Sequence, residues 1–151
     1  MPDPSRSSGR LRVYVDADVL LAGAASPADH SASQVVLSLS EITLIDAITS
    51  QLAVEECIRN LEAKVPDAVS TFELLAERAL EIVPAPSKQS VRQLAGRADW
   101  KDVPHLACAV GRGCTHLVTY NTSDYTPGHP AVEVLRPGVL VRRVRDRLAH
   151  L

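Results

Sequence analysis

Apolar and polar residues alternate at the start of the chain. Leu11, Val13 and Val15 flank Arg12 and Tyr14, and this period of two predicts a strand that ends at Asp16. Ala17 to Ala25 then reads as a helix halted by Ser26-Pro27, Ser31 to Ser40 as a second helix, and Ile42 to Ile45 as a short strand. Ser50 is placed to cap a helix reaching about Lys64, whose stripe is Val54, Cys57, Ile58 and Leu61. Pro66 and Asp67 open a helix carrying Val69, Phe72, Leu75, Ala76 and Ala79, and Glu81 to Val83 is a short strand. Ser87 caps a helix that ends near Gly96. Asp99 or Asp102 caps another reaching Gly111, with Pro104 tolerated in its first turn. His116 to Tyr120 and Val132 to Leu135 read as strands, and Val139 to Leu148 as a final helix or a strand-like tail. Strands alternating with helices predict an α/β fold with a mostly parallel sheet covered on both faces.

The 151 residues suit one domain, expected from residue 11 to 151 with no internal repeat. Met1 to Arg10 is polar, with two Pro and three Ser, and reads as a disordered leader without a hydrophobic signal core. Aromatics are only 3% of the chain, so the core must be Leu, Val, Ile and Ala. The net charge of −2 gives no global attraction for a polyanion, which would need a local basic patch or metal ions. Cys57, Cys108 and Cys114 form an odd set without a CxxC pair, as expected of buried thiols in a reducing cytosol. No apolar run is long enough to span a bilayer, and a cytoplasmic location is expected.

The candidate chemistry lies in acids that are far apart in sequence. Asp16 closes one strand, while Asn121 and Asp124 follow another. In a parallel sheet both strand ends come to one edge, where α/β folds bind ligands. Asp102 starts the helix leading into the second strand, in line with Leu106 and Ala109, where a carboxylate must be capped, paired or bound to metal. Each acid also has an ordinary explanation. Asp102 can be a helix cap, Asp16 and Asp124 turn residues, Asp18 a helix-dipole partner, and Glu55 or Glu56 a solvated surface group. Periodicity does not choose between the two glutamates. Taken jointly, the acids point to a divalent-metal site acting on phosphate esters. Crowded carboxylates repel and their pKa values rise until a cation joins them, and Mg²⁺ or Mn²⁺ takes oxygen ligands. No Ser-His-Asp or Cys-His arrangement competes, and His30, His105, His116, His129 and His150 show no zinc spacing.

These residues resemble the PIN domain, the metal-dependent nuclease fold used by VapC-type toxins. Val15-Asp16-Ala17-Asp18-Val19-Leu20 resembles its opening strand, and Ser50 through Leu61 its segment with a Ser, an acid six residues later and a Leu five beyond. That spacing selects Glu56 over Glu55. Asp102 to Ala109 resembles the third block, Leu117 to Tyr125 the fourth, and Pro137 the usual strand–Pro–helix ending. The resemblance runs from about residue 11 to 147. It implies a three-layer α/β/α fold, with Asp16, Glu56 and Asp102 as metal ligands and Asp124 as the fourth acid, holding Mg²⁺ or Mn²⁺. Asp18 stands where a small polar residue is typical, and Asn121 where many relatives carry the fourth Asp. Asp18, Thr119 and Asn121 are therefore expected to support the site.

The resemblance further implies single-stranded RNA as substrate, an antitoxin partner and a homodimer, with contacts near Ser31 to Ser40 and Ser50 to Leu61. Arg92, Arg97, Lys101 and Arg112 are candidates for phosphate binding, Arg97 and Lys101 foremost. The run Arg136, Arg142, Arg143, Arg145, Arg147 reads as a solvated face or an RNA contact. Two rivals stand beside the ribonuclease. Asp16-Ala17-Asp18-Val19 also resembles the nucleophile motif of haloacid-dehalogenase-type phosphatases, although the chain shows no matching lysine block. A non-catalytic binding module on the same scaffold is the other.

Overall fold

The computed structural model describes residues 11–25, 36–39 and 44–150. Five strands form one sheet in the order β3-β2-β1-β4-β5. They are β1 (Leu11–Val15), β2 (Ile45–Ser50), β3 (Glu81–Val83), β4 (His116–Val118) and β5 (Glu133–Leu135). Every ladder between them is parallel, so the expected mostly parallel sheet is wholly so. The helices are α1 (Ala17–Ala25), α2 (Gln51–Lys64), α3 (Val69–Ala79), α4 (Lys88–Gln93), α5 (Val103–Gly111) and α6 (Pro137–Ala149), with a further helical stretch at 36–39.

The side-chain alternation of the strands divides the core in two. Val13, Val15, Ile45, Ala47, Val118 and Leu135 pack on one face with Leu20 of α1, Cys57 and Leu61 of α2, Phe72 and Ala76 of α3, and Leu140 of α6. Tyr14, Ile48, Val83 and Leu117 pack on the other face, against Val103, Leu106 and Ala109 of α5. The result is the expected three-layer α/β/α arrangement. Strand order runs outward from β1 through β2 to β3, and the chain then crosses to β4 and β5 on the other side. The reversal between β1 and β4 leaves a crevice beyond their C-terminal ends, the customary ligand site of such sheets.

Several sequence expectations hold. Ser50 caps α2 by accepting from Ala53 N, and Ser87 caps α4 by accepting from Ser90 N. Pro66 opens a single 3₁₀ turn, Pro66–Ala68, before α3. Others need correction. The second strand runs Ile45–Ser50, well past the expected end at Ile45, and Ile42 and Thr43 of that expectation lie outside the described residues. Asp46 is accommodated inside this strand because its charge is met across the ladder by Arg12 Nη1 at 2.6 Å, in register on β1. β4 stops at Val118 instead of Tyr120, because the Tyr120 amide donates to the Asp18 carboxylate. Asp102 occupies the position before α5 but makes no side-chain cap hydrogen bond. Of the two readings of the last segment the helix holds, as α6. The leader Met1 to Arg10, the stop at Ser26-Pro27 and most of the Ser31 to Ser40 helix lie outside the described residues. Among those described, no helix is long and apolar enough to cross a membrane.

Candidate active site

A cleft of about 170 Å³ opens at the crevice, lined among others by Asp16, Asp18, Glu56, Lys101, Asp102, Asn121 and Asp124. Each arrives by a short structural route. Asp16 is the first residue past β1, and its amide extends the ladder to Val118 O at 3.1 Å. Glu56 rides the second turn of α2, which the Ser50 cap starts at the end of β2. Asp102 immediately precedes α5, Asn121 immediately precedes the 3₁₀ turn Thr122–Tyr125 after β4, and Asp124 lies on that turn. Glu56 sits on the polar side of α2, as the helical wheel predicts, and reaches the cleft from there.

Asp16 is nearly buried, at 6% exposure. Its Oδ1 accepts from Ala17 N at 2.7 Å and its Oδ2 from the Tyr125 hydroxyl at 2.8 Å. A carboxylate offers about four lone-pair sites, so these bonds fix the group and leave it capacity toward the cleft. Gly128 shapes the loop that delivers Tyr125. Its φ is +76°, and a Cβ there would meet Tyr125 O at 3.0 Å, so only glycine fits without strain.

Asp18 is tied in more closely than a surface helix residue. Its Oδ2 accepts from Thr119 Oγ1, Tyr120 N and Asn121 Nδ2, at 3.1, 3.0 and 3.1 Å. Thr119 Oγ1 in turn accepts from Asn121 N at 3.1 Å. Asp18 thus fastens the end of β4 to the end of β1, and Thr119 and Asn121 serve that clasp. The other oxygen, Asp18 Oδ1, is buried with no hydrogen-bond partner among the described residues.

Burial, and then the neighbouring Asp16 charge, push the Asp18 carboxyl up to about 6. The same two causes, in the same order, raise Asp102 to about 6, against partial relief from His105 and Lys101. A buried oxygen without a partner and two carboxyls held above their ordinary range make a site short of positive charge. Its donors are nearly all hard oxygens, and the residues present fit a divalent cation of the Mg²⁺ or Mn²⁺ kind.

One member of the site was not anticipated from sequence. His105, on α5, places a ring nitrogen in a group with Asp16 and Glu56 whose candidate ligand atoms lie within 4.8 Å of one another. Its Nε2 is 4.0 Å from Asp16 Oδ1 and 3.8 Å from Glu56 Oε2. Its Nδ1 meets Tyr14 Oη at 2.7 Å, and Tyr14 Oη meets Ser50 Oγ at 2.8 Å. Zinc spacing among histidines gives no hint of this. The usable signal is the three-residue step from Asp102, which puts both side chains on one side of α5.

Arg97 does not line the cleft; its Nη1 donates to Gly128 O at 3.2 Å. Among the described residues that line the cleft, Lys101 is the one base. In the basic run, Arg143 pairs with Glu133 at 2.6 Å and Arg136 lies 5.9 Å from the centre of the Tyr120 ring. The three cysteines are free and buried, and burial pushes Cys57 and Cys114 up to about 12 and Cys108 to about 11.

Comparison with known proteins agrees with this geometry. A family model described as PIN domain matches residues 12–123. Among solved structures, Mycobacterium tuberculosis VapC20, described as a sarcin-ricin loop cleaving toxin, superposes with a TM-score of 0.52 and 14% identity. That match covers 70% of this chain and 86% of the other. The structure of FitAB bound to an IR36 DNA fragment gives a TM-score of 0.55 and 17% identity, over 83% of this chain and 94% of the other. A search of curated proteins finds no significant match. At such identities the structural likeness concerns the fold, but the family match spans most of the chain: it belongs to the PIN-domain family.

Proposed function

We propose that this chain is a metal-dependent endoribonuclease, hydrolysing phosphodiester bonds of single-stranded RNA as the toxin of a toxin–antitoxin pair. The observation that carries this is the meeting of Asp16, Glu56, Asp102 and Asp124 in one cleft at the β1/β4 reversal of a PIN domain. RNA is favoured because VapC20, which shares the fold, is described as a toxin that cleaves the sarcin-ricin loop. The antitoxin partner, a homodimer and a cytoplasmic location belong to the same proposal.

In this reading Asp16, Glu56, Asp102 and Asp124 hold the cation, and the His105 Nε2 stands beside Asp16 and Glu56 at the rim of that set. A bound Mg²⁺ or Mn²⁺ would supply Lewis-acid polarisation of the phosphodiester and activation of water. The chain's own contribution is placement. Tyr125 and the Ala17 amide hold Asp16 still, Asp18 locks the β4 turn, and Lys101 brings a cation to the cleft wall for the phosphate. The phosphatase alternative would leave Glu56 without a task, and it now lines the cleft.

The test is cleavage of a fluorescent single-stranded RNA by wild type and Asp102→Asn, each with Mn²⁺ and with EDTA. Cleavage by wild type in Mn²⁺ alone, lost in the variant, is the expected result. No cleavage by folded, metal-loaded wild type across varied RNAs would sink the ribonuclease reading in favour of a binding module.

A further inference from the structure

The chain has five aromatic residues besides histidine: one Trp, three Tyr and one Phe. Tyr14, Phe72 and Tyr125 are buried, and Tyr120 is partly so. The single tryptophan, Trp100, is 85% exposed. In water an indole forgoes the burial of a large apolar face.

The position of Trp100 is fixed. The Asp99 carbonyl accepts from Asp102 N at 2.8 Å and from Val103 N at 3.1 Å, closing a turn with Trp100 and Lys101 at its apex. Asp99 N donates to Asp124 O at 2.7 Å, and Gly128 N donates to Arg97 O at 2.8 Å. The turn is therefore stapled to the loop on the other wall of the cleft. Lys101 and Asp102, the next two residues, both line that cleft. No other large exposed apolar side chain lies on the segments 97–102 or 121–128. An isolated indole between charged neighbours suits a planar ligand on a charged backbone better than an apolar protein patch.

We infer that the Trp100–Lys101 turn is a substrate clamp, in which the Trp100 indole stacks on an unpaired base while the Lys101 ammonium holds the phosphate beside it. The inference rests on the ribonuclease reading and gives it a basis for strand selectivity. A base offers its face to an indole only when it is unstacked, as in single strands and loops, and stacking tolerates any base. The clamp therefore selects single-stranded substrate with little sequence preference at that position.

Because Trp100 is the only tryptophan, the intrinsic fluorescence of the full chain reports on it directly. A short single-stranded RNA carrying an end label is titrated in EDTA, and tryptophan emission and label anisotropy are followed together. Saturable quenching by the single strand, absent with the same sequence in a duplex, is expected. Trp100→Ala should weaken binding on the order of tenfold and raise KM while leaving kcat nearly unchanged, and Trp100→Phe should keep most of the affinity. The exposed position means that both variants should melt like wild type.

Binding seen by anisotropy without a change in emission, together with wild-type affinity in Trp100→Ala, would overturn the clamp and leave the ribonuclease reading standing. Neither binding nor cleavage of RNA by wild type would overturn both. Emission that shifts with protein concentration in the absence of RNA, and is matched by a change in oligomeric state in Trp100→Ala, would make Trp100 an interface between copies and overturn the clamp.

Discussion

Tyr14 holds His105 by one hydrogen bond, Oη to Nδ1 at 2.7 Å, and so aims the opposite ring nitrogen at the carboxylates of the cleft. The bond exists because β1 alternates. Val13 and Val15 face one core cluster, which sends Tyr14 to the other side of the sheet, beneath α5. Ser50 completes the chain, receiving the Ala53 amide at 3.2 Å and meeting Tyr14 Oη. The run from Ser50 through Tyr14 to His105 can be protonated in either direction. In one setting Nε2 carries hydrogen toward Glu56, and in the other it presents a lone pair to the cleft.

Tyr14→Phe should therefore damage both stability and the site. It removes one hydroxyl and leaves His105 Nδ1 and Ser50 Oγ facing a phenyl ring inside the core. A loss of about 1–3 kcal/mol in denaturant unfolding is expected. With its orienting bond gone, His105 should also lose its hold on the site, weakening Mn²⁺ binding by about 10- to 100-fold. Titration of Mn²⁺ into the variant checks this. Wild-type affinity in a destabilised protein would show that Tyr14 serves packing alone.

The raised carboxyls make stability depend on pH in a defined direction. Asp18 and Asp102 titrate at about 6 in the folded chain, against 3.8 ordinarily. Between those values the folded chain retains protons that the unfolded chain has released. Metal-free stability therefore falls as pH rises from about 4 to about 6, and stays at the lower level above that. Asp102→Asn should raise the metal-free melting temperature near pH 7 and flatten part of this slope. Melting curves in EDTA at several pH values decide it, and a wild-type melting temperature that climbs through the same window would contradict the charge crowding. Divalent cation should give its largest stabilisation above pH 6, where it meets ionised ligands.

Arg12 offers the opposite case, a structural ion pair away from the cleft. Its Nη1 bonds Asp46 at 2.6 Å, its Nε donates to Arg112 O at 2.7 Å, and Glu81 lies 3.5 Å away. These contacts tie β1 to β2, to β3 and to the loop before β4. Arg12→Ala should lower stability by about 1–2 kcal/mol, since the pair is only partly shielded from water. Cleavage per folded molecule should stay at the wild-type level. A fall in kcat with unchanged metal binding would mean that the sheet's register transmits to the site.

Much of this was legible in the chain because local signals agreed with the fold. The alternation of β1 and the Ser50 and Ser87 caps are each set by a few adjacent residues, whereas Glu56 is singled out from Glu55 only by the spacing of the family it resembles. β2 was misplaced because Asp46 makes sense in a strand only once Arg12 is beside it, and that neighbour is 34 residues away. His105 was passed over because its partners, Tyr14 and the acids, come from other elements. A side chain's local pattern says which way it points, but the topology decides what it meets.

Arg97 and Lys101 make that distinction measurable. They lie four residues apart and looked equally suited to phosphate, yet Lys101 lines the cleft while Arg97 is committed to the Gly128 carbonyl. Lys101→Ala should raise KM for RNA several-fold and reduce the salt dependence of binding by about one unit of log–log slope, as expected for one lost phosphate contact. Arg97→Ala should leave the salt slope unchanged. Its effect should fall on the loop from Asn121 to Gly128, seen as faster amide exchange there, with a loss of kcat as Tyr125 releases Asp16. The two variants thus separate along KM and kcat. A drop in salt slope for Arg97→Ala equal to that for Lys101→Ala would restore Arg97 to the RNA path and require the turn that carries it to open when substrate binds.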